Sequence, residues 1–251
     1  MTAQIRQTGR AAVPVTTRPA SDVRVAPSTA APAAALRRWL LTGVGYMIPF
    51  VVTGGVLIAA AYLFGGTDVP AAVGGLAGAG GPAASPSSLA ALADPTAVLD
   101  RSGYAGLLFL VGTAAMSLMV PALASAIAYA MAGPLALVAG AVGGLLATVT
   151  GAGYLGGLLA GLLTGGALLL LRRLPVPAAC TGLFAVVLAP LVSTLLVGVA
   201  IVAVVGPPAA AVQRAMTEAL SGLASTHAGL LGLVLGLMVA VEIGGPINKT
   251  A

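Results

Sequence analysis

Apolar residues run in long blocks along this chain instead of alternating with polar ones. Trp39 to Phe64, Gly103 to Met131, Tyr154 to Leu171 and Leu183 to Val205 are each long enough for a helix to cross a hydrocarbon core of about 30 Å. A backbone in lipid must satisfy its own hydrogen bonds, so each block predicts a helix. Breakers mark the ends. The first helix should stop at Gly65 and Gly66, and Thr67 to Arg101, rich in Gly, Pro, Ala and Ser, reads as a loop. Pro121 predicts a kink, because proline has no N–H to donate. Leu135 to Val149 is short for a perpendicular span, which leaves a shortened crossing and a re-entrant segment both open. Pro207 to Ser225 carries Gln213, Arg214 and Glu218 among apolar residues and predicts an amphipathic helix at an interface. Leu230 to Val241 is a further apolar helix, broken at Gly244, Gly245 and Pro246. The expected fold class is all-α: a polytopic integral membrane bundle of about six transmembrane or re-entrant helices, with a disordered N-terminal tail.

Composition agrees with lipid as the main solvent: 59% of residues are hydrophobic and 7% charged, and the mean hydropathy is +1.09. Residues 1–35 lack a sustained apolar period and cannot bury enough surface to offset the entropy of ordering, so they are expected to be a disordered cytoplasmic tail or linker ahead of a membrane domain at 36–251. A cleavable secretory signal is not expected, because the next apolar run is longer than a signal core and further spans follow it. The formal charge of +5 is concentrated at Arg6, Arg10, Arg18, Arg24, Arg37 and Arg38, opposed locally only by Asp22. These basic residues lack interleaved aromatics for base stacking, so nucleic acid is not an expected partner. A positive flank beside a span instead sets orientation. It places the N-terminus and Arg172 with Arg173 in the cytoplasm, and the 67–101 loop, with Asp68, Asp94 and Asp100, outside. Cys180 is the only cysteine, which excludes an intrachain disulfide and a cysteine-based zinc site.

Small residues recur at helical spacing. Gly153, Gly157, Gly161 and Gly165 form one stripe; Gly140 with Gly144, and Gly232 with Gly236 and Ala240, repeat the device. Such stripes predict close helix packing in lipid, and no Walker-type Lys and Ser/Thr follow them to suggest phosphate binding.

Five segments, in order, resemble the fructose-type enzyme IIC proteins of the phosphoenolpyruvate-dependent phosphotransferase system. They are LTGVGYMIPFVVTGG from Leu41 to Gly55, VPALASAIAYAM from Val120 to Met131, GAGYLGGLLAGLLTG from Gly151 to Gly165, APLVSTLLVG from Ala189 to Gly198, and VEIGGPINK from Val241 to Lys249. The last is similar to a family signature written D-M-G-G-P-V-N-K, with Glu242 where the family usually has Asp. Ala132 and Gly133 stand where the family often has a charged pair before the proline matching Pro134. Family members continue for roughly a hundred residues beyond the N-K motif, so the resemblance implies a chain shortened at its C-terminus, with little or no uptake of its own.

The resemblance implies a multi-pass permease of the bacterial cell membrane. It would bind fructose or a related hexose or hexitol and present it to a phosphorylated IIB partner, itself supplied by IIA, with a homodimer in the bilayer as the expected assembly. The phosphoryl-carrying residues would lie on the partners, so no catalytic residue, metal or cofactor is assigned to this chain. Cys180, in AACTGLF, reads as a packed small hydrophobe, and His227, beside Ser225 and Thr226, as an interfacial residue. The candidate substrate site is the broken helix: Glu242, Gly244, Gly245, Pro246, Asn248 and Lys249. An acid at the edge of an apolar helix marks a partner or a pathway. The Gly-Gly-Pro break frees backbone groups that are tolerable only inside protein or beside a cavity. Asn248 and Glu242 can bond adjacent hydroxyls. Lys249 either pairs with Glu242 or the phosphate, or reaches the cytoplasmic interface. Two other readings are an inactive or regulatory membrane subunit, and an unrelated secondary carrier with a broken helix at its midplane.

Overall fold

A computed structural model describes residues 32–76, 86–173, 187–226, 229–233 and 236. The regular secondary structure of these described residues is helical, in line with the all-α expectation. Helix α1 spans Pro32–Gly65, α2 Val69–Leu76, α3 Pro95–Ser117, α4 Met119–Ala132, α5 Ala136–Val149 and α6 Gly153–Leu171. After residues outside the description come α7 (Ala189–Val199), a π-helical segment (Ala200–Val205) and α8 (Gly206–Thr226); a 3₁₀ segment, Pro86–Ala93, precedes α3. Among the described residues, four runs are long and apolar enough to cross a membrane: Ala33–Gly65, Pro95–Ala132, Gly153–Leu171 and Ala189–Leu223. Helix α5, at 14 residues, reaches only about 21 Å at 1.5 Å per residue.

The ends follow the sequence. Helix α1 closes on Gly66, whose φ of 75° no branched side chain would accept and whose N–H bonds the Tyr62 carbonyl at 2.9 Å. Gly133 closes α4 in the same way, at φ 79° with a 2.8 Å bond to Tyr129, and Pro134 follows. Asp94 caps α3: its carboxylate accepts from the Ala97 N–H at 3.1 Å and from the Thr96 hydroxyl at 2.6 Å, with Pro95 in the first turn where its missing N–H is harmless. Those bonds hold the Asp94 carboxyl below its ordinary pKa, the Thr96 hydroxyl contributing most.

Several expectations need correction. The 67–101 segment is not a plain loop, since it carries α2, the 3₁₀ segment and the start of α3. What stands at Gly103 is a break inside α3, at φ 59° and ψ −157°, not a helix start. The kink expected at Pro121 falls at Leu118, three residues upstream. A proline excludes the helical carbonyl one turn before it, so Pro121 sits in the first turn of α4, where that exclusion is tolerated. Nor does the helix stop at Pro207. Gly206, Pro207 and Pro208 open α8 directly after the π segment, so the expected span and amphipathic helix form one run. Helix α1 starts at Pro32, a few residues before the expected boundary.

Helix α4 is the centre of the packing, with Val120, Leu123, Ala124, Ile127 and Ala128 buried. It contains no glycine; its neighbours bring them. A Cβ added at Gly140 or Gly144 of α5 would meet the Ser125 Cα at 2.8 Å or the Pro121 Cα at 2.7 Å. One added at Gly157 would lie 2.5 Å from Val120, at Gly161 2.8 Å from the Ala124 carbonyl oxygen, and at Gly165 2.5 Å from the Met131 sulfur. Gly43 of α1 meets Ile127 from a third side. Close backbone approach is what small-residue stripes permit where lipid offers no hydrophobic drive between helices. Gly153 belongs to the sequence stripe but not to this interface: its φ is 53° and its neighbour is Gln213. Gly232 and Gly236 have no neighbour within 4 Å among the described residues, and Ala240 lies outside them.

These contacts fix direction. Gly43 meets Ile127 whereas Gly54 meets Met116 and Gly65 meets Ala105, so α1 runs antiparallel to α3 and α4. The order of glycine contacts makes α6 parallel to α4 and α5 antiparallel to it; Gly143 against Val197 and Gly198 against Leu146 set α7 parallel to α5. Arg37, Arg38, Arg172 and Arg173 therefore gather at one end of the bundle. Asp68, Asp94, Asp100 and Glu218 lie with Arg101 and Arg214 at the other.

Candidate functional site

Every residue of the expected substrate site, Glu242, Gly244, Gly245, Pro246, Asn248 and Lys249, lies outside the described residues, as do Cys180 and His227. What is described is the part of the bundle around that segment's predecessors. Its buried polar side chains are spoken for: Thr113 donates to Phe109 at 2.8 Å, Thr164 to Ala160 at 2.7 Å and Ser193 to Pro190 at 3.0 Å, all carbonyls of their own helices. A hydroxyl that bonds its own helix can be buried without an orphaned donor. No group of His, Cys, Asp and Glu able to hold a metal occurs among the described residues.

Two segments that resemble the IIC family converge on a cavity of about 290 Å³ between α1, α4 and the start of α5. Tyr46 and Phe50 come from the first segment, Ser125 and Tyr129 from the second, and Leu137 closes the wall. Ser125 Oγ donates to the Pro121 carbonyl of its own helix at 2.7 Å. The wall as a whole is almost entirely apolar. Sequence reasoning missed this cavity, because nothing in the spacing says that positions 46 and 129 line one space; only the antiparallel register of α1 and α4 does. At the same end, Arg172 Nη2 donates to the Ala132 carbonyl at 2.6 Å, across 40 positions of sequence. That carbonyl belongs to the last turn of α4, where unsatisfied acceptors and the negative end of the helix dipole favour a cation. Arg172, read from sequence only as an orientation signal, is also the clamp between α4 and α6.

An all-helical bundle with lipid-length apolar runs, glycine-mediated packing and segregated charge is the architecture of a membrane protein. Known proteins make the assignment narrower. The chain is 34% identical over 216 residues to the "Fructose-like permease IIC component 2" of Escherichia coli K12, covering 86% of this chain and 53% of that protein. It is 33% identical over 232 residues to the "PTS system fructose-specific EIIC component" of Haloferax volcanii, covering 84% and 55%. To the "PTS system fructose-specific EIIB'BC component" of Rhodobacter capsulatus it is 42% identical over 213 residues, covering 84% and 32%. The chain belongs to the fructose-type enzyme IIC proteins of the phosphotransferase system. It spans about half the length of the IIC relatives it matches. No family model and no solved structure matches it.

Proposed function

We propose that this chain is the membrane permease component of a sugar phosphotransferase system, binding and translocating fructose, or a related hexose or hexitol, for phosphorylation by a IIB partner. The observation that carries the reading is the run of similarity over 84 to 86% of the chain to proteins named as fructose permeases or fructose-specific IIC components. Relatives named EIIABC and EIIB'BC support phosphorylated IIB, and IIA behind it, as partners. A homodimer in the bilayer is the proposed assembly. The four arginines at one end of the bundle support a cytoplasmic N-terminus, with the acid-rich end outside.

The substrate site on this reading remains the helix break. Glu242 and Asn248 hydrogen-bond the sugar, Gly244, Gly245 and Pro246 supply freed backbone groups, and Lys249 stands on the cytoplasmic side. Membranes carrying the chain complemented by the portion that its IIC relatives have beyond it, in a strain without its own fructose IIC, are supplied with phosphoenolpyruvate, the general phosphotransferase proteins, IIA and IIB. Labelled fructose should become fructose phosphate only when IIB and the phosphoryl donor are both present. Uptake that needs an ion gradient and no phosphoryl donor would overturn the reading. Glu242→Gln removes a charged hydrogen bond worth roughly 1.5 to 3 kcal/mol, so sugar affinity should fall about tenfold or more. Unchanged affinity in well-inserted Glu242→Gln and Asn248→Ala variants would move the substrate site elsewhere.

A further inference from the structure

At the end of the bundle opposite the four arginines, the turn between α5 and α6 faces the start of α8 across a cleft of about 480 Å³. Its lining includes Val149, Thr150, Gly151, Val202, Pro207 and Arg214. Three features set it apart from the apolar clefts of this bundle. Arg214 is the one charged residue in a lining that is otherwise neutral among the described residues. The Thr150 hydroxyl donates to the Leu146 carbonyl at 2.8 Å, which leaves its oxygen lone pairs to accept. The third feature is in the backbone. The π segment ends where the Gly206 N–H bonds the Ile201 carbonyl, five residues back, and no Cβ would fit between Gly206 and that oxygen. Pro207 and Pro208 then contribute no N–H, so the carbonyls they would have bonded one turn upstream, within 202–204, are left for other donors. Single π turns inside helices concentrate at functional sites for this reason among others.

The site thus combines a cationic donor with a hydroxyl oxygen and freed carbonyls as acceptors. An anion would satisfy Arg214 but be repelled by the carbonyls, and Glu218 stands one turn along α8. A neutral polyol has both donors and acceptors on adjacent carbons, and a hexose fits within this volume. The geometry points to an outer subsite for a neutral hexose or hexitol, with Arg214 and Thr150 as its recognising side chains. The inference rests on the permease reading, from which it takes the sugar and the outward orientation.

The test is site-directed labelling in intact cells. A Val149→Cys change is made in a chain whose Cys180 has been replaced by alanine, and a membrane-impermeant maleimide is added from outside. Fructose at millimolar concentration should slow labelling at least about twofold, and inorganic phosphate should not. Arg214→Gln or Thr150→Val, the second nearly isosteric and so safe for folding, should abolish that protection without changing the rate measured in the absence of sugar. In the complemented form used to test uptake, each should also raise the KM, by about tenfold for Arg214→Gln, which corresponds to about 1.4 kcal/mol. Labelling indifferent to fructose, protection by phosphate instead, full protection in both variants, or labelling that requires permeabilised cells would each overturn the proposal. The two readings fail separately. Protection without donor-dependent fructose phosphate sinks the permease function, whereas fructose phosphate formed without protection sinks only the outer subsite.

Discussion

Around α4, three helices press glycines onto one neighbour; along α7, the π segment and α8, a run of similar apolarity is held far more loosely. In α6, 44% of the most apolar window is buried, against 28% in the run from Ala189 to Leu223. The α4 interfaces bring a prospective Cβ within 3 Å of backbone atoms that cannot move aside. The arm instead leaves Leu191, Leu195, Val199 and Val204 exposed and borders two open clefts. Hydrophobicity alone therefore says nothing about how firmly a membrane helix is fixed, since lipid satisfies a leucine as well as a neighbouring helix does. Rigidity comes from places where only glycine fits.

The contrast can be broken most directly at Gly161. Gly161→Leu should destabilise the protein by about 3 kcal/mol, because the new Cβ must displace the Ala124 carbonyl or the Ile127 Cβ, both 2.8 Å away. Gly166→Leu, on the same helix with no described neighbour within 4 Å, should insert and melt normally. Melting temperature in detergent compares the two, and equal losses would show that glycine packing is not what holds α4.

A smaller effect is expected at the clamp. Arg172→Met keeps the aliphatic stem but leaves the Ala132 carbonyl without its 2.6 Å donor, and should remove about 1 kcal/mol. Arg173→Met, which changes the same charge next door, should have less effect on melting. If both variants melt alike, the clamp carries no stability and Arg172 acts only as an orientation signal.

Gly166→Ala should be stabilising, by about 0.5 to 1 kcal/mol, since helical glycine costs that much in backbone entropy where nothing occupies the Cβ position. The same change at Gly140 should reverse the sign, against the Ser125 Cα at 2.8 Å. This pair sharpens the comparison without adding bulk.

The smallest effect concerns the cap of α3. The Asp94 carboxyl has a folded pKa below its unfolded one, so its contribution is present above the unfolded value and disappears as pH falls through the folded one. Wild type should therefore lose part of its stability in the acid range where Asp94→Asn does not. Superimposable pH profiles of melting would remove Asp94 from the account.

Much of the architecture could be read from the chain because lipid leaves few choices. Long apolar blocks must be helices, and the ends of α1 and α4 were written in Gly66, Gly133 and Pro134. The Gly140 and Gly144 pair and the Gly157 to Gly165 stripe announced close packing, since glycine at that spacing has little other use in a membrane helix. What the spacing did not contain was the identity of the partner. That both stripes converge on α4, while Gly153 turns toward Gln213, depends on which helices meet. The run through Pro207 was misread for a related reason: a proline pair after a wide turn can continue a helix when the preceding hydrogen bonds shift by one residue, which composition does not reveal. Local sequence determined where the backbone must be helical and where it must turn. The tertiary arrangement alone decided that Tyr46 and Tyr129 line one cavity, that Arg172 closes α4 and that Arg214 and Thr150 line one cleft, because each joins residues far apart in sequence through the register of packed helices.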